Sequence, residues 1–405
     1  MKVGIVGGGA AGFFSAIAVK ENFPDASVVI YEKSEDVLSK VRITGGGRCN
    51  VSHDCESITD LCKAVPRGGK SLKKAFHVFN DQHTMAWFRS RGVPLVVQAD
   101  RCVFPESNDA RSIVDCLIRE AKRLKVEIQC GKGVIAIRPQ ENSLSVEFAK
   151  EDQQAAVFDK IIVTTGGSPK RSGLEWLETL NHRIENPVPS LFTFNMPSEP
   201  IISLMGVVAE NTVVRIQGTK VMAEGALLIT HWGMSGPVIL KLSSYGARVL
   251  HDMNYDFKIQ LNWVEEKNNE LVLADLQGVV DEHPYKLLSN HKPYPLPSRL
   301  WQFLLDKSGF PPEKIWGELG KKGLNKMMSI LTNDEYSVRG KTTFKEEFVT
   351  CGGVSLDSID MSTMQSKVCK NLYFAGEIMD IDAITGGYNL QCAWTTGFVA
   401  GKLKS

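Results

Sequence analysis

Apolar residues recur along this chain in short runs, and several of the runs end on glycine or an acid. Lys2-Val3-Gly4-Ile5-Val6 reads as a strand and is followed at once by Gly7-Gly8-Gly9-Ala10-Ala11-Gly12. Phe13 to Lys20 then reads as a helix, and Ser27 to Tyr31 as a second strand that ends in Glu32. Farther along, the pattern predicts one helical stretch over 71–91, a helix from about Ala110 to Lys125 and strands at Val126–Cys130 and Gly133–Ile137. Ser143–Phe148 and Ala156–Phe158 form a hairpin pattern, and Ile161–Gly167 is a buried strand ending in glycines. From about Pro187 the texture changes: prolines become frequent and short alternating runs such as Thr212–Ile216 and Lys220–Met222 predict an antiparallel β unit. A rigid turn at Thr230–Pro237 leads into a helix over Val238–Tyr245. Residues 268–332 have helical periodicity broken by prolines, and Glu335–Lys341 returns to strand. The chain closes on a strand at Phe348–Val354, a strand at Leu372–Glu377, and a helix that opens after Gly386-Gly387 and runs to Lys402.

The first thirty-odd residues carry the G-x-G-x-x-G fingerprint between a strand and a helix. Gly7 allows a tight turn, Gly9 lets the backbone approach a pyrophosphate, and Gly12 lets helix and strand pack closely. Ala10 and Ala11 open the helix, whose N-terminal N–H groups and partial positive charge suit phosphate. Glu32 lies 20 positions past Gly12, where an acid accepts from a ribose hydroxyl and repels a 2′-phosphate. The site therefore suits FAD or NAD rather than NADP.

Lys40 to Asn50 forms a second glycine loop, with Arg42 before Gly45-Gly46-Gly47 and Arg48, Cys49 and Asn50 after. Its Gly46 and Gly47 N–H groups suit an anion or a flat ring. Thr165 and Gly166, at the end of their strand, would stand beside the nucleotide. Lys33 and Val134 complete the expected contacts on the N-terminal side. At the far end, Gly376-Glu377 closes a strand with an acid for a ribityl chain. Gly386, Gly387, Tyr388, Asn389 and Leu390 open a helix whose N–H groups would face a flavin's pyrimidine edge. Cofactor segments at both chain ends favour FAD over NAD. His231 and Tyr388 are the candidate proton donors or substrate anchors.

Composition narrows the class. The 405 residues are 43% hydrophobic and 23% charged, with formal net charge +1, so no global field favours nucleic acid or an anionic membrane. No apolar run reaches the roughly 18 residues of a membrane helix. Nine cysteines without a C-x-x-C pair suggest reduced cytoplasmic thiols, with neither a disulfide framework nor a metal site. Cys49 and Cys55 bring to mind the pyridine-nucleotide disulfide reductases, but five residues separate them instead of four, and no second fingerprint follows. Gly69-Lys70-Ser71 lacks the first glycine of a P-loop, since Ala64 occupies its place.

Together the chain resembles, end to end, the BaiN-like bacterial flavoproteins, which include YhiN and aminoacetone-oxidase members. The resemblance rests on the fingerprint, on Thr44–Asn50, Thr230–Pro237 and Thr350–Val354, and most specifically on Tyr373–Asp380 running into Gly386–Gln391. Thr44 stands where serine is frequent in the family, and Thr164-Thr165 where Ala-Thr is frequent. The resemblance implies an α/β, Rossmann-type FAD-binding domain with a parallel sheet formed by both chain ends, 1–187 and 343–405. A β-rich insert would occupy 188–267 and 333–342, and a helical insert 268–332. It implies non-covalent FAD and leaves the substrate open, because members include reductases of conjugated ketones and amine oxidases. The leading reading is a flavin oxidoreductase that reduces a small organic substrate such as an unsaturated carbonyl, with NAD(P)H as a transient reductant. The alternatives are an O2-using amine oxidase and a flavin-binding regulatory protein. No nucleic-acid or membrane partner is expected.

Overall fold

The computed structural model describes residues 1–150, 152–265, 268–343 and 349–404. Phe348, expected to open a strand, lies outside the described residues. The chain divides into two units, Met1–Ser190 with Phe344–Ser405, and Leu191–Thr343.

The first unit is built on a seven-stranded sheet in the order Ile359–Asp360, Gln365–Ser366, Leu372–Phe374, Lys160–Val163, Lys2–Val6, Ser27–Tyr31, Glu127–Gln129. The last five strands in that order are parallel. The N-terminal strands are almost wholly buried, as a sheet covered on both faces requires. Register matters more than strand count here. Val6 pairs with both Tyr31 and Val163, Tyr31 with Gln129, and Val163 with Phe374. All five strands therefore end level, and the segments that follow them emerge along one edge. In open α/β sheets that carboxyl edge is where ligands bind.

Helices Ala10–Asn22 and Tyr388–Ala400, from opposite ends of the sequence, pack against each other beside this sheet. A Cβ on Gly397 would lie 2.7 Å from the Ala11 carbonyl oxygen, so the helices approach too closely for any larger residue there. Phe14 fills the junction, with its ring 4.8 Å from Trp394 and 4.6 Å from Trp87. The stretch expected as one helix over 71–91 is two, Gly69–Val78 and Asp81–Arg89. The break is a polar cap: the Asn80 side chain accepts from the His83 N–H at 3.1 Å, while the Asn80 N–H donates to His83 Nδ1 at 3.2 Å. The strand expected over Ile161–Gly167 stops at Val163, because the Thr164 hydroxyl turns back to the Val6 and Gly7 carbonyls. Among the described residues three smaller antiparallel sheets complete the unit, one of them Ser52–His53 with Cys102–Pro105 and Leu95–Val97.

The second unit holds an antiparallel seven-stranded sheet in which Met222–Thr230 pairs with Val208–Ile216 on one side and Gly233–Ser235 on the other. The helices Asn269–Glu282, Ser298–Lys307 and Gly320–Thr332 share one apolar core with it, since Leu276, Trp301 and Met327 cluster with Val214 and Leu261. Among the described residues no helix is long and apolar enough to cross a membrane.

Candidate functional site

Gly7 follows Val6 with φ +115°, and a Cβ there would sit 2.5 Å from the Thr164 carbonyl oxygen. At Gly12 a Cβ would meet the Gly7 oxygen at 2.0 Å. These two glycines are demanded by packing. Gly9 is different: nothing lies within 4 Å of its Cβ position, and its φ of −90° suits any residue. Beside it the Glu32 carboxylate accepts from the Gly8 N–H at 2.8 Å and the Ser34 N–H at 2.9 Å. These bonds fix the acid at the strand end and leave lone pairs for a hydroxyl donor. Lys33 is exposed, and its Cβ lies 3.4 Å from the Cβ position of Gly133, next to half-buried Val134.

The far end of the chain meets this edge. The Cβ position of Gly376 is 2.9 Å from the Ala11 Cβ. Glu377 accepts from the Thr350 N–H at 2.7 Å and from Lys40 Nζ at 3.1 Å. The Cβ position of Gly167 falls 2.5 Å from the same carboxylate, while that of Gly166 has nothing within 4 Å. Thr165 is exposed beside it. Ala11, Lys40, Gly166 and the pair Gly376-Glu377 are thus brought together from four separate stretches.

The second glycine loop meets the C-terminal helix. Asn50, with its amide turned to satisfy both neighbours, donates to the Ser52 carbonyl at 2.9 Å and accepts from the Gly387 N–H at 3.2 Å. The strand beyond is tied to the helix at three levels. Trp394 Nε1 donates to the Val51 carbonyl at 2.9 Å, Ser52 Oγ donates to Gln391 Oε1 at 2.6 Å, and His53 Nδ1 bonds the Gly386 carbonyl at 3.2 Å. Asn389 clips the preceding loop with its side chain, exchanging bonds with Ala383 N–H and C=O at 2.9 and 3.0 Å. Half-buried Leu390 follows in the first turn. That turn directs the helix's partial positive charge toward the glycine loop. Gly46 and Gly47, with φ +69° and +83°, have nothing within 4 Å of their Cβ positions.

Other expected residues are placed less directly. Arg42 is exposed on the short helix Ser39–Ile43. Arg48 folds back, with its guanidinium 4.3 Å from the Phe104 ring centroid. The Cys49 side chain is fully buried, and burial pushes its thiol far up. Burial also raises the Cys55 thiol to about 12, so neither is poised as a thiolate. His231 lies in the second unit on an exposed turn, edge-on to Trp232 at 4.5 Å. Tyr388 is buried, and its ring stacks on His53 at 4.5 Å.

Sequence reasoning missed His53, which follows Asn50 by three positions and carries chemistry. It also missed the pair Arg67 and Asp382: Arg67 Nε donates to the fully buried Asp382 carboxylate at 2.5 Å, and Ser190 Oγ adds a bond at 2.7 Å. This pair fastens the loop ahead of Gly386.

The arrangement fits a flavin dinucleotide. Gly9, Gly46, Gly47 and Gly166 leave open the space that a Cβ would occupy, whereas Gly8, Gly45 and Gly167 beside them are packed to contact. The Ala10–Asn22 helix begins at Gly9, and the Tyr388–Ala400 helix begins at Gly387, whose N–H reaches Asn50 of the second glycine loop. The family model described as "HI0933-like protein Rossmann domain" matches residues 1–403. The chain is 27% identical over 409 residues to the 3-dehydro-bile acid delta(4,6)-reductase of Clostridium scindens, covering 99% of this chain and 98% of that one. It is 26% identical over 418 residues to the ribosomal RNA dihydrouridine synthase of Escherichia coli, covering 98% and 96%. Among solved structures it is similar to the FrdA chain of E. coli quinol fumarate reductase, with TM-score 0.51, 14% identity, and coverage of 100% of this chain and 70% of that one. A 3-ketosteroid delta1-dehydrogenase from Sterolibacterium denitrificans has TM-score 0.50 and 11% identity, with 98% of each chain covered. These two likenesses speak to fold alone.

Proposed function

The chain belongs to the HI0933-like Rossmann-domain family, and from that premise we propose that this FAD-dependent oxidoreductase saturates a carbon–carbon double bond conjugated to a carbonyl. The observation that carries the flavin site is the level row of five strand ends, with glycine segments from both chain ends meeting above it. Non-covalent FAD would lie with its pyrophosphate at Gly9 and Ala10, its adenosine ribose at Glu32 and its ribityl chain near Glu377. The ring would lie between Gly46-Gly47 and the start of the Tyr388–Ala400 helix. Bound FAD supplies two-electron transfer in the form of hydride. The chain's own groups orient the ring, exclude water and hold protons.

The substrate class is drawn from what two relatives' names share. A 3-oxo bile acid with delta(4,6) unsaturation and a uridine that becomes dihydrouridine both present a double bond conjugated to a carbonyl. NAD(P)H is the reductant in this reading, acting from a transient site. Nine free cysteines suit a reducing, cytoplasmic setting. The balanced net charge argued against nucleic acid, yet two relatives named for ribosomal RNA keep a uridine in RNA as the second substrate reading. Lys70, Lys73, Lys74 and His77 favour it: they are exposed on the Gly69–Val78 helix, which contains no acid.

The test is product analysis. Protein loaded with FAD is given NADH or NADPH and, separately, a 4-ene-3-oxo steroid and a uridine-containing RNA. A product heavier by two hydrogens with loss of the conjugated absorbance supports the reading. Peroxide formed from small amines without nicotinamide points instead to an amine oxidase.

A further inference from the structure

Saturating a conjugated double bond takes a hydride at one carbon and a proton at the other, so the site needs a group that can give up a proton. Most titratable groups around it are committed. Glu32 and Glu377 accept from backbone N–H groups, and Asp382 is enclosed by Arg67 and Ser190. Cys49 is fully buried with its thiol raised.

His53 is arranged otherwise. Its Nδ1 faces the Gly386 carbonyl at 3.2 Å. A carbonyl only accepts, so Nδ1 carries a hydrogen and Nε2 is the atom that exchanges a proton. The ring is half-buried and lies nearly parallel to the Tyr388 ring, at 24° and 4.5 Å, which fixes its plane. Asn50 and Ser52, on either side of Val51, are hydrogen-bonded to Gly387 and Gln391, so His53 is carried on the segment that braces the helix start. Cys102 Sγ is 4.0 Å from Nδ1. Burial favours the neutral ring and Arg101 adds to it, together outweighing the Gly386 hydrogen bond, Asp100 and Asp54, which favour the charged form, so His53 is a stronger acid than an ordinary histidine.

We propose that His53 is the proton donor of this site. The inference rests on the double-bond reading above. The Nε2–H bond breaks and a C–H bond forms at the carbon next to the carbonyl. Bound FAD, once reduced by a nicotinamide, would supply the hydride with both electrons for the other carbon, and solvent would return the proton to Nε2.

The experiment separates the two half-reactions. FAD-loaded protein is reduced anaerobically by NADH or NADPH, then mixed with a 4-ene-3-oxo steroid or a uridine-containing RNA while flavin absorbance is followed from pH 5 to 9. Wild type is expected to reoxidise more slowly as pH rises, because the donating form is lost. His53→Gln should keep its flavin spectrum and its bleaching by nicotinamide, yet reoxidise about 100-fold more slowly with no pH limb, and imidazole should restore part of the rate. His53→Asn, which can still donate to the Gly386 carbonyl, should show the same loss if the first variant folds poorly. Wild-type rates and pH limb in both variants overturn the assignment. So does a limb that survives in them but vanishes in Tyr388→Phe, which would make the phenol the donor. Wild-type protein that neither substrate reoxidises overturns the double-bond reading, and this assignment with it.

Discussion

Gly9 and Gly12 sit three positions apart in the same fingerprint, and the structure predicts opposite phenotypes for them. A Cβ at Gly12 would lie 2.0 Å from the Gly7 oxygen and 2.9 Å from Thr164 Oγ1. That oxygen belongs to backbone also held by the Thr164 hydroxyl at 2.8 Å, so strand, turn and helix must all shift. Overpacking of this kind costs about 1–3 kcal/mol, and a disturbed hydrogen bond adds about 1 kcal/mol. At roughly 2–4 °C per kcal/mol, Gly12→Val should lower Tm by about 5–15 °C with or without cofactor. The Cβ of Gly9→Val meets nothing within 4 Å and φ −90° suits it, so its cofactor-free Tm should stay within about 2 °C of wild type. Its loss appears on adding FAD. A ligand at 100 times its Kd stabilises by about 2.7 kcal/mol, roughly 5–10 °C, and Gly9→Val should lose most of that shift because its side chain fills the pyrophosphate position. The assay is thermal unfolding of stripped protein with and without added FAD, alongside flavin content after purification. A Gly9→Val protein with wild-type flavin content and the full FAD shift would refute the reasoning, as would one that unfolds like Gly12→Val.

Asp382→Ala should cost about 3–5 kcal/mol in urea unfolding, because Arg67 would be left charged and largely buried, whereas Arg67→Met with Asp382→Leu should recover most of the loss. Lys40→Met should change stability by under about 1 kcal/mol, since the lysine half of its pair with Glu377 is exposed, but should weaken FAD affinity in a fluorescence titration. His182 is buried between the hydroxyls of Ser358 and Ser366, and burial lowers its pKa to about 4. The unfolded chain therefore binds a proton that the folded one refuses, and stability should fall as pH drops from 6.5 toward 4. His182→Gln should flatten that part of a denaturation-versus-pH curve, and an unchanged slope would count against the assignment.

What was legible in the sequence was local. The fingerprint needs only adjacent residues, so the strand, glycine turn, helix and Glu32 all fall where spacing puts them. Hydrophobic period gave the terminal helix but not its neighbour's break, because Phe79 continues the apolar stripe while the Asn80 cap acts through backbone N–H groups. The family resemblance brought the two chain ends into one sheet, but side-chain pairings across the chain were out of reach. Asp382 and Arg67 are 315 positions apart, and nothing near either residue announces the other. His53 lay next to a recognised loop, yet its bond to Gly386 depends on how that loop meets the last helix. In the insert, proline punctuation suggested separate β and helical parts, while the buried tryptophans Trp263, Trp301 and Trp316 pack with both into one core.

The most direct test of the central claim is the visible spectrum of the purified, FAD-loaded protein before and after anaerobic addition of NADH, then NADPH. The flavin bands should bleach with at least one of them and return when a 4-ene-3-oxo steroid or a uridine-containing RNA is added. A protein that holds no flavin after reconstitution would contradict the site itself. One whose flavin is inert to both nicotinamides, or once reduced is reoxidised only by oxygen, would contradict the proposed reaction.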